Sequence, residues 1–496
     1  MNKPKGSRFT LLGLTLIMSA GGLALSLLAP CDARASEVLE EAKASHKLQS
    51  LAELDDKAPA RRSLNVQTWN TAEGAKVLFV EAHELPMFNL RLTFGAGSSQ
   101  DGKIPGLALL TNAMLNEGVA GKDVGAIAQG FEGLGADFGN GAYKDMAVAS
   151  LRSLSAADKR EPALKLFAEV VGKPTFPATS LARIKNQLLA GFEFQKQNPG
   201  KLASQDLSRR LYGDHPYSHA SDGTAKSIPP ITLAQLRAFH AKAYAAGNVV
   251  IALVGDLSRS EAQALTAQVS AALPKGPALA KIAPAHDPQP STGHIEFPSK
   301  QTTILLAQMG IDRADPDFPA LSLGNQILGG GGFGTRLMSE VREKRGLTYG
   351  IYSGFSPMQA RGPFMINLQT RAEMSEGTRK LVEEVLADYL KSGPTQKELD
   401  DAKREMAGSF PLSNASNSDI VGQLGSMGFY DLPLNYLEDF MQQTQALTVE
   451  QVKAALNRHL GVDKMIVVTA GPTVPQKPLP PPTDKPVEQP LGVPEH

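Results

Sequence analysis

The stretch LGGGGFGTRLMSEVREKRGLTYG, Leu328 to Gly350, holds the residues best placed to do chemistry. Four consecutive glycines, Gly329, Gly330, Gly331 and Gly332, suggest a phosphate cradle. Arg342 and Tyr349, seven residues apart across a helix end, suggest a grip on a peptide. A P-loop requires G-x-x-x-x-G-K-[ST], its lysine reaching phosphate and its hydroxyl holding magnesium. Here Thr335-Arg336 follow Gly334, and no lysine stands in place. A dinucleotide fingerprint requires a strand running into the glycines, whereas FPALSLGNQILGG is helical by pattern. The glycines therefore serve first to end a helix and to let backbones approach closely. By charge pattern alone Arg342 is a solvated charge among the mixed charges of EVREKR, where each pairing is worth little.

Two further places carry candidate ligands. His215 and His219 stand four apart in HPYSH, a zinc-pair spacing on a helix, but Pro216 and the flanking YGD make this a turn. GLALLTNAMLNEG, Gly106 to Gly118, has the apolar spacing of a buried helix, with Leu109, Asn112 and Ala113 on one face.

The elements that must position these residues come in two similar sets. ITLAQLRAFHAKAYAAGNVVIALVGDL (231–257) lies without gaps on LTVEQVKAALNRHLGVDKMIVVTAGPT (447–473), with Thr232, Gln235, Ala238 and Gly255 recurring as Thr448, Gln451, Ala454 and Gly471. Each copy reads as a helix followed by a β-branched strand that ends at glycine. A weaker match, LARIKNQLLAGF on LDDAKREMAGSF, precedes it at nearly the same offset. Strand signals cluster in runs, as in VQTWNT, AKVLFVEA and FNLRLTFGA, and so do helices, which points to α+β with largely antiparallel sheets.

The expected organisation is a first domain over 63–272, a proline-rich linker over 273–293, a second domain over 294–472 and a proline-rich tail over 473–496 that is disordered or polyproline-like. Lys3, Lys5 and Arg8 precede a long apolar run, and Ala33-Arg34-Ala35 offers a cleavage site, so residues 1–35 read as a signal peptide and 36–62 as an N-terminal extension. Export, with the periplasm as destination, follows; an uncleaved membrane anchor is the alternative. The single cysteine, Cys31, falls in the segment to be removed, leaving no thiol for a disulfide, metal site or nucleophile. The length of 496 residues, 42% hydrophobic, suggests about three globular domains, and two large ones fit as well. Lys+Arg and Asp+Glu balance at 50 each, which gives no electrostatic case for nucleic acid as a partner.

With these segments in view, the chain resembles the pitrilysin/insulinase-type zinc metallopeptidases, of which mitochondrial processing peptidase is one. Active members carry H-x-x-E-H on the helix that follows the first strand cluster, two histidines binding zinc and the glutamate activating water. The matching residues here are Leu109, Leu110, Thr111, Asn112 and Ala113, which offer zinc no histidine nitrogen and water no base. A third family ligand, a glutamate some 75–80 residues on, falls in SLARIKNQLLAGFEFQ, where Glu193 is the only acid. By contrast SEVREKRGLTYG matches the family phrase nearly throughout.

The resemblance spans about 63–472 and implies two similar α+β domains, each a mainly antiparallel sheet with helices packed on it, forming a half-clamshell. It implies the processing-peptidase division of labour, in which this chain is the non-catalytic subunit of a heterodimer. The chain itself would hold no metal or cofactor. Zinc is expected in an H-x-x-E-H homologue as partner, and peptides are the expected substrates. The loop Gly329–Gly334 would admit an extended peptide, and Arg342 and Tyr349 would grip the scissile carbonyl. A catalytically silent scaffold or assembly protein, and a self-sufficient metallopeptidase with unrecognised ligands, remain open alternatives.

Overall fold

The computed structural model describes residues 64–483. The export and extension expectations, on residues 1–35 and 36–62, lie outside the described residues, as does the tail beyond Thr483.

The first half runs β1 (Gln67–Asn70), β2 (Lys76–Glu81), β3 (Met87–Phe94), α1 (Leu107–Ala113), α2 (Val124–Glu132), β4 (Asp137–Ala142) and β5 (Ala147–Leu154). It continues through α3 (Ala157–Gly172), α4 (Ala178–Gln195), α5 (Pro199–Tyr212), α6 (Leu233–Ala243), β6 (Val249–Gly255) and α7 (Arg259–Ala272). The second half runs β7 (Ser291–Glu296), β8 (Gln301–Met309), α8 (Phe318–Asn325), β9 (Ile351–Phe355), β10 (Pro363–Arg371) and α9 (Ser375–Ser392). It ends with α10 (Gln396–Ser409), α11 (Asn417–Phe429), α12 (Tyr436–Ala446), α13 (Val449–His459) and β11 (Ile466–Gly471).

Two large sheets result, in the orders β1-β2-β6-β3-β5-β4 and β9-β10-β8-β11-β7, beside a two-residue pairing of Gly118–Val119 with Lys122–Asp123. Each has one parallel pair, β2 with β6 and β7 with β11, and is otherwise antiparallel. The internal repeat is the reason. Thr232 and Thr448 are the N-caps of α6 and α13, and each forms a reciprocal capping box with Gln235 or Gln451. The strand after each helix ends at Gly255 or Gly471. A Cβ there would sit 2.4 Å from Met87 O in the first copy and 2.4 Å from Thr302 Oγ1 in the second. The fold is thus the α+β pair of similar domains that the sequence implies.

β7 begins at Ser291, inside the segment expected to be linker. After Pro290 the chain has no further proline until Pro298, and its backbone groups are free to pair with β11.

Strand β6 is buried at every position and β8 at eight of nine, so both faces of each sheet are covered. One face of the first sheet carries the helices of its own half: Leu90, Leu92, Ile251 and Leu253 pack with Leu110, Phe167 and Phe239. Its other face, with Leu78, Val80, Val250, Ala252 and Val254, is covered by Ile420, Val421, Leu424 and Met427 of α11 from the second half. The exchange is mutual. Ala203, Leu207 and Leu211 of α5, from the first half, cover Leu305, Ala307, Ile466, Val468 and Ala470 of the second sheet. Helix α11 comes close because its contact positions are glycines: a Cβ on Gly428 would lie 2.4 Å from Val250 Cγ1.

The two halves are also pinned by polar groups. Asp145, in the β4–β5 hairpin and 5% exposed, accepts hydrogen bonds from the Tyr217 hydroxyl, the Gln359 backbone N–H at 2.7 Å and the Tyr430 hydroxyl at 3.1 Å. Tyr217 Oη in turn accepts from the Ala360 N–H at 3.1 Å. Gln359 and Ala360 lie in the β9–β10 connection, the counterpart of the β4–β5 hairpin. Burial, and then the Asp145 charge, push the Tyr217 and Tyr430 phenols well above their usual range, so both stay donors. Asp145→Ala orphans these donors at once; chemical denaturation is expected to show a loss of about 3 kcal/mol, with a cooperative transition retained.

Candidate functional site

In the second lobe α8 passes into a π-helical turn over Gln326–Gly330, and a second such turn spans Met338–Glu343. Between them lies the glycine loop, and its glycines do two jobs. A Cβ on Gly329 would lie 2.6 Å from Ser353 Oγ, one on Gly330 2.5 Å from Asn325 Nδ2, and one on Gly331 2.9 Å from Gln326 O. Gly329 is small because the loop lies against β9, and Gly330 and Gly331 because the chain folds back on the end of α8 and the turn that follows it. Gly332 and Gly334 instead have φ of +75° and +84° with open space beyond, so they shape the loop tip. Asn325 locks the loop root to β9 by donating to Ser353 O at 3.1 Å and accepting from Ser353 Oγ at 2.7 Å.

The tip residue, Phe333, is 72% exposed, and Tyr349 is 79% exposed. Between their rings lies the Arg342 guanidinium, 4.7 Å from the Phe333 centroid and 4.9 Å from that of Tyr349. The nearby carboxylate of Glu340 is taken by Lys344 and by Arg345 at 2.8 Å. Among the described residues Arg342 has no carboxylate partner. The cation is therefore oriented by two π faces while its N–H edges stay unspent. Tyr349 sits two residues ahead of β9, in the connection rather than in the strand.

The segment is clamped at both ends. Arg336 makes a two-pronged bond to Glu398 at 2.8 Å and lies 4.6 Å from the Tyr389 ring; this pairing helps hold the Glu398 carboxyl down to about 2 against burial, the largest influence, which pushes it up. At the other end Thr483 N–H donates to Lys344 O at 2.9 Å. Residues 473–483, within the segment expected to be a disordered or polyproline-like tail, form a docked strap without regular secondary structure. Lys477 N–H bonds Glu373 O at 2.7 Å, Gln476 Oε1 accepts the Glu376 N–H at 3.0 Å, and Leu479 lies over Gly377. Prolines left this segment without a ladder of its own, but side-chain caps and an apolar contact suffice to hold it.

In the first lobe, α1 carries Leu109, Asn112 and Ala113. Asn112 is 2% exposed, and its amide nitrogen donates to Val148 O at 3.2 Å and Tyr244 Oη at 3.1 Å. Asn140 donates to Asn112 O at 2.6 Å, tying α1 to the edge strand β4. Ala113 packs against the core. An alanine, a leucine and an amide that is spent on the sheet do not fit a zinc ion. Glu193, the acid on α4, is 65% exposed and pairs with Lys196 at 2.7 Å. The start of α1 is set by buried Asp101, whose carboxylate accepts from the N–H groups of Gly106 at 2.8 Å and Ala108 at 2.7 Å. Burial pushes Asp101 up to about 7.

The other candidates are structural. His215 caps the short 3₁₀ turn Pro216–Ser218; its Nδ1 accepts the Tyr217 N–H and its Nε2 meets Ala283 O at 2.8 Å. Among the described residues Asp315, Asp317 and His459 group closely enough to hold an ion. Arg458 occupies both Asp317 oxygens, at 2.6 and 2.8 Å, and His459 bonds the same carboxylate at 2.9 Å, so the trio is an ion-pair knot. The sequence-expected site residues Gly329–Gly332, Arg342 and Tyr349 are brought together. Leu109, Asn112 and Ala113 belong to the other lobe and share no hydrogen bond or ring contact with them. Phe333, Asn325 and the strap were missed, although an aromatic between two glycines, where no core can take it, marks Phe333.

The profile of the insulinase family, peptidase family M16, matches residues 76–224, and that of the peptidase M16 inactive domain matches residues 230–406. A solved peptidase M16 inactive domain from Pseudomonas fluorescens is 83% identical, with TM-score 0.83, covering 84% of this chain and 100% of that one. The non-peptidase homolog YmxG of Helicobacter pylori is 28% identical over 78% of this chain and 90% of its own length. A Helicobacter pylori protease structure at 18% identity shares the fold, with TM-score 0.77 and coverage of 83% of this chain and 100% of that one. This chain belongs to the M16 peptidase family. It is a peptidase-like member without the family's catalytic side chains.

Two outcomes follow. Ending the chain at Pro472 removes the Thr483–Lys344 tie, and hydrogen exchange in residues 341–349 is expected to quicken by about tenfold while that of β8 is unchanged. For Asp101, a folded-state pKa raised above the unfolded value means its contribution is present below about pH 4 and is lost as pH rises through about 7. Thermal melts of the unaltered chain against Asp101→Asn are expected to favour the unaltered chain progressively from about pH 8 down to about pH 5.

Proposed function

We propose that this chain is the non-catalytic, substrate-binding subunit of an exported heterodimeric zinc peptidase. The partner is a homologue with the H-x-x-E-H motif, which holds the zinc and supplies the hydrolytic chemistry. This chain supplies the grip: an extended peptide enters past Gly329–Gly334, and Arg342 and Tyr349 donate hydrogen bonds to the carbonyl of the bond to be cut. The carrying observation is the asymmetry between the lobes. The first has packed or spent side chains at the motif, while the second presents an unpaired guanidinium between two exposed rings.

A guanidinium already oriented on π faces loses little freedom when a carbonyl arrives, and its donors suit the charge that develops on the oxygen during attack. A guanidinium and a phenol offer N–H and O–H donors to an oxygen, so the role of Arg342 and Tyr349 is stabilisation of charge on the carbonyl. Export rests on the N-terminal pattern of residues 1–35.

Co-expression with an H-x-x-E-H homologue is expected to yield a complex that cleaves peptides, with neither chain active alone. In that complex Arg342→Ala should lower turnover about a hundredfold and Tyr349→Phe about tenfold, with assembly intact. Unchanged cleavage in both variants overturns the assignment and leaves the scaffold reading. Chelator-sensitive hydrolysis by this chain alone excludes it in favour of a self-sufficient peptidase.

A further inference from the structure

A cleft of 630 Å³ opens on the second lobe between α8, α11 and α12, away from the glycine loop. Phe318, Phe410, Met427, Leu437 and Phe440 give it an apolar wall. Polar groups with unspent capacity interrupt that wall. Among the described residues the buried Tyr436 hydroxyl and Gln423 Oε1 have no hydrogen-bond partner. The orientation of Gln423 is fixed, because its amide nitrogen donates to Ser413 O at 2.7 Å. Its oxygen therefore waits for a donor. A buried acceptor left unpaired costs free energy that a matching ligand recovers.

Arg313 completes the set. Its guanidinium lies 4.8 Å from the Phe318 centroid and 5.6 Å from that of Tyr436. Among the described residues it has no carboxylate partner. Asp419 also lines the cleft; its Oδ2 accepts from Ser416 Oγ at 2.6 Å and from the Ser416 N–H at 3.2 Å in the capping box of α11. A half-buried cation on aromatic faces calls for an anion, the wall calls for an apolar body, and Gln423 calls for an N–H donor. A fatty acid supplies the first two and lacks the third. An inorganic anion supplies only the first.

We infer that this cleft binds the carboxyl end of a peptide whose last residue is apolar: the α-carboxylate pairs with Arg313, the side chain fills the space by Phe318, Phe440 and Met427, and the terminal amide N–H donates to Gln423 Oε1. Recognition of a C-terminus here is independent of the carbonyl grip proposed at Arg342.

Calorimetric titration of the full chain tests this with three probes: N-acetyl-Ala-Phe as the free acid, the same dipeptide as its C-terminal amide, and decanoate. The acid is expected to bind at least about tenfold more tightly than the amide, since a charge-assisted pair is lost. Arg313→Met should level acid and amide, and Gln423→Leu should weaken the peptide acid while leaving decanoate unchanged. Arg342→Ala should alter none of these ratios, which separates this site from the other. Equal affinity for acid and amide in the unaltered chain, no saturation by the acid at millimolar concentration, or decanoate binding as tightly as the peptide acid each overturns the proposal. Thermal melts of both cleft variants confirm that a lost preference is not lost folding.

Discussion

The architecture depends on an exchange: each sheet is roofed on one face by a helix from the other half of the chain. Without α11, the strip from Leu78 to Val254 on the first sheet faces water, and without α5 the strip from Leu305 to Ala470 does the same. Burying one such aliphatic side chain contributes about 1.5–3 kcal/mol, so either roof outweighs any single polar link between the lobes. The polar link does different work. Apolar faces slide at little cost, whereas Asp145, with three donors from separate elements, accepts only one register. Hydrophobic exchange holds the halves together, and one buried carboxylate sets how.

That scaffold explains how the two lobes diverge in chemistry without diverging in fold. A zinc motif on α1 would need three ligands held open toward solvent. Here Asn112 has turned inward to a structural use, bonding both a strand carbonyl and the Tyr244 phenol, while Glu193 stands at the surface paired with Lys196. Tyr244 is fully buried, so an acid at position 112 would have to shed its charge or draw a cation into the core. In the second lobe the equivalent investment runs outward. Arg336 and Thr483 clamp the ends of one segment so that its middle can present Arg342 and Tyr349 to solvent.

Much of this was legible in the sequence, and the rest was not for identifiable reasons. The duplicated Thr-x-x-Gln phrases at 232 and 448 became capping boxes, and the paired glycines at 255 and 471 became strand ends with no room for a side chain. The capping boxes are local signals, readable because their partners lie three residues away, and the glycines were readable because they recur at the same place in both copies. The exchange of α5 and α11 was invisible, since an apolar helix face announces burial but not the sheet that buries it. The docking of the tail was hidden because prolines rule out regular ladders and say nothing about caps such as Gln476. The role of Phe333 was hidden for the converse reason: a cation–π contact leaves no spacing pattern.

The Phe333–Arg342–Tyr349 stack also bears on why the segment keeps a charge exposed. Arg345 and Lys344 compete for Glu340 and win, which leaves Arg342 without an anion in a stretch rich in both signs. Had Arg342 been the one paired, its donors would be occupied and its geometry set by a flexible carboxylate. Stacked instead on rings presented by a glycine-shaped tip and a clamped segment end, the guanidinium keeps its orientation and its donors together. With two rings at this distance, the guanidinium keeps its N–H donors for what approaches in its own plane. A backbone carbonyl oxygen can accept from that edge. On the reading proposed above, the loop glycines and the two clamps hold that donor edge in the place where a peptide's main chain would pass.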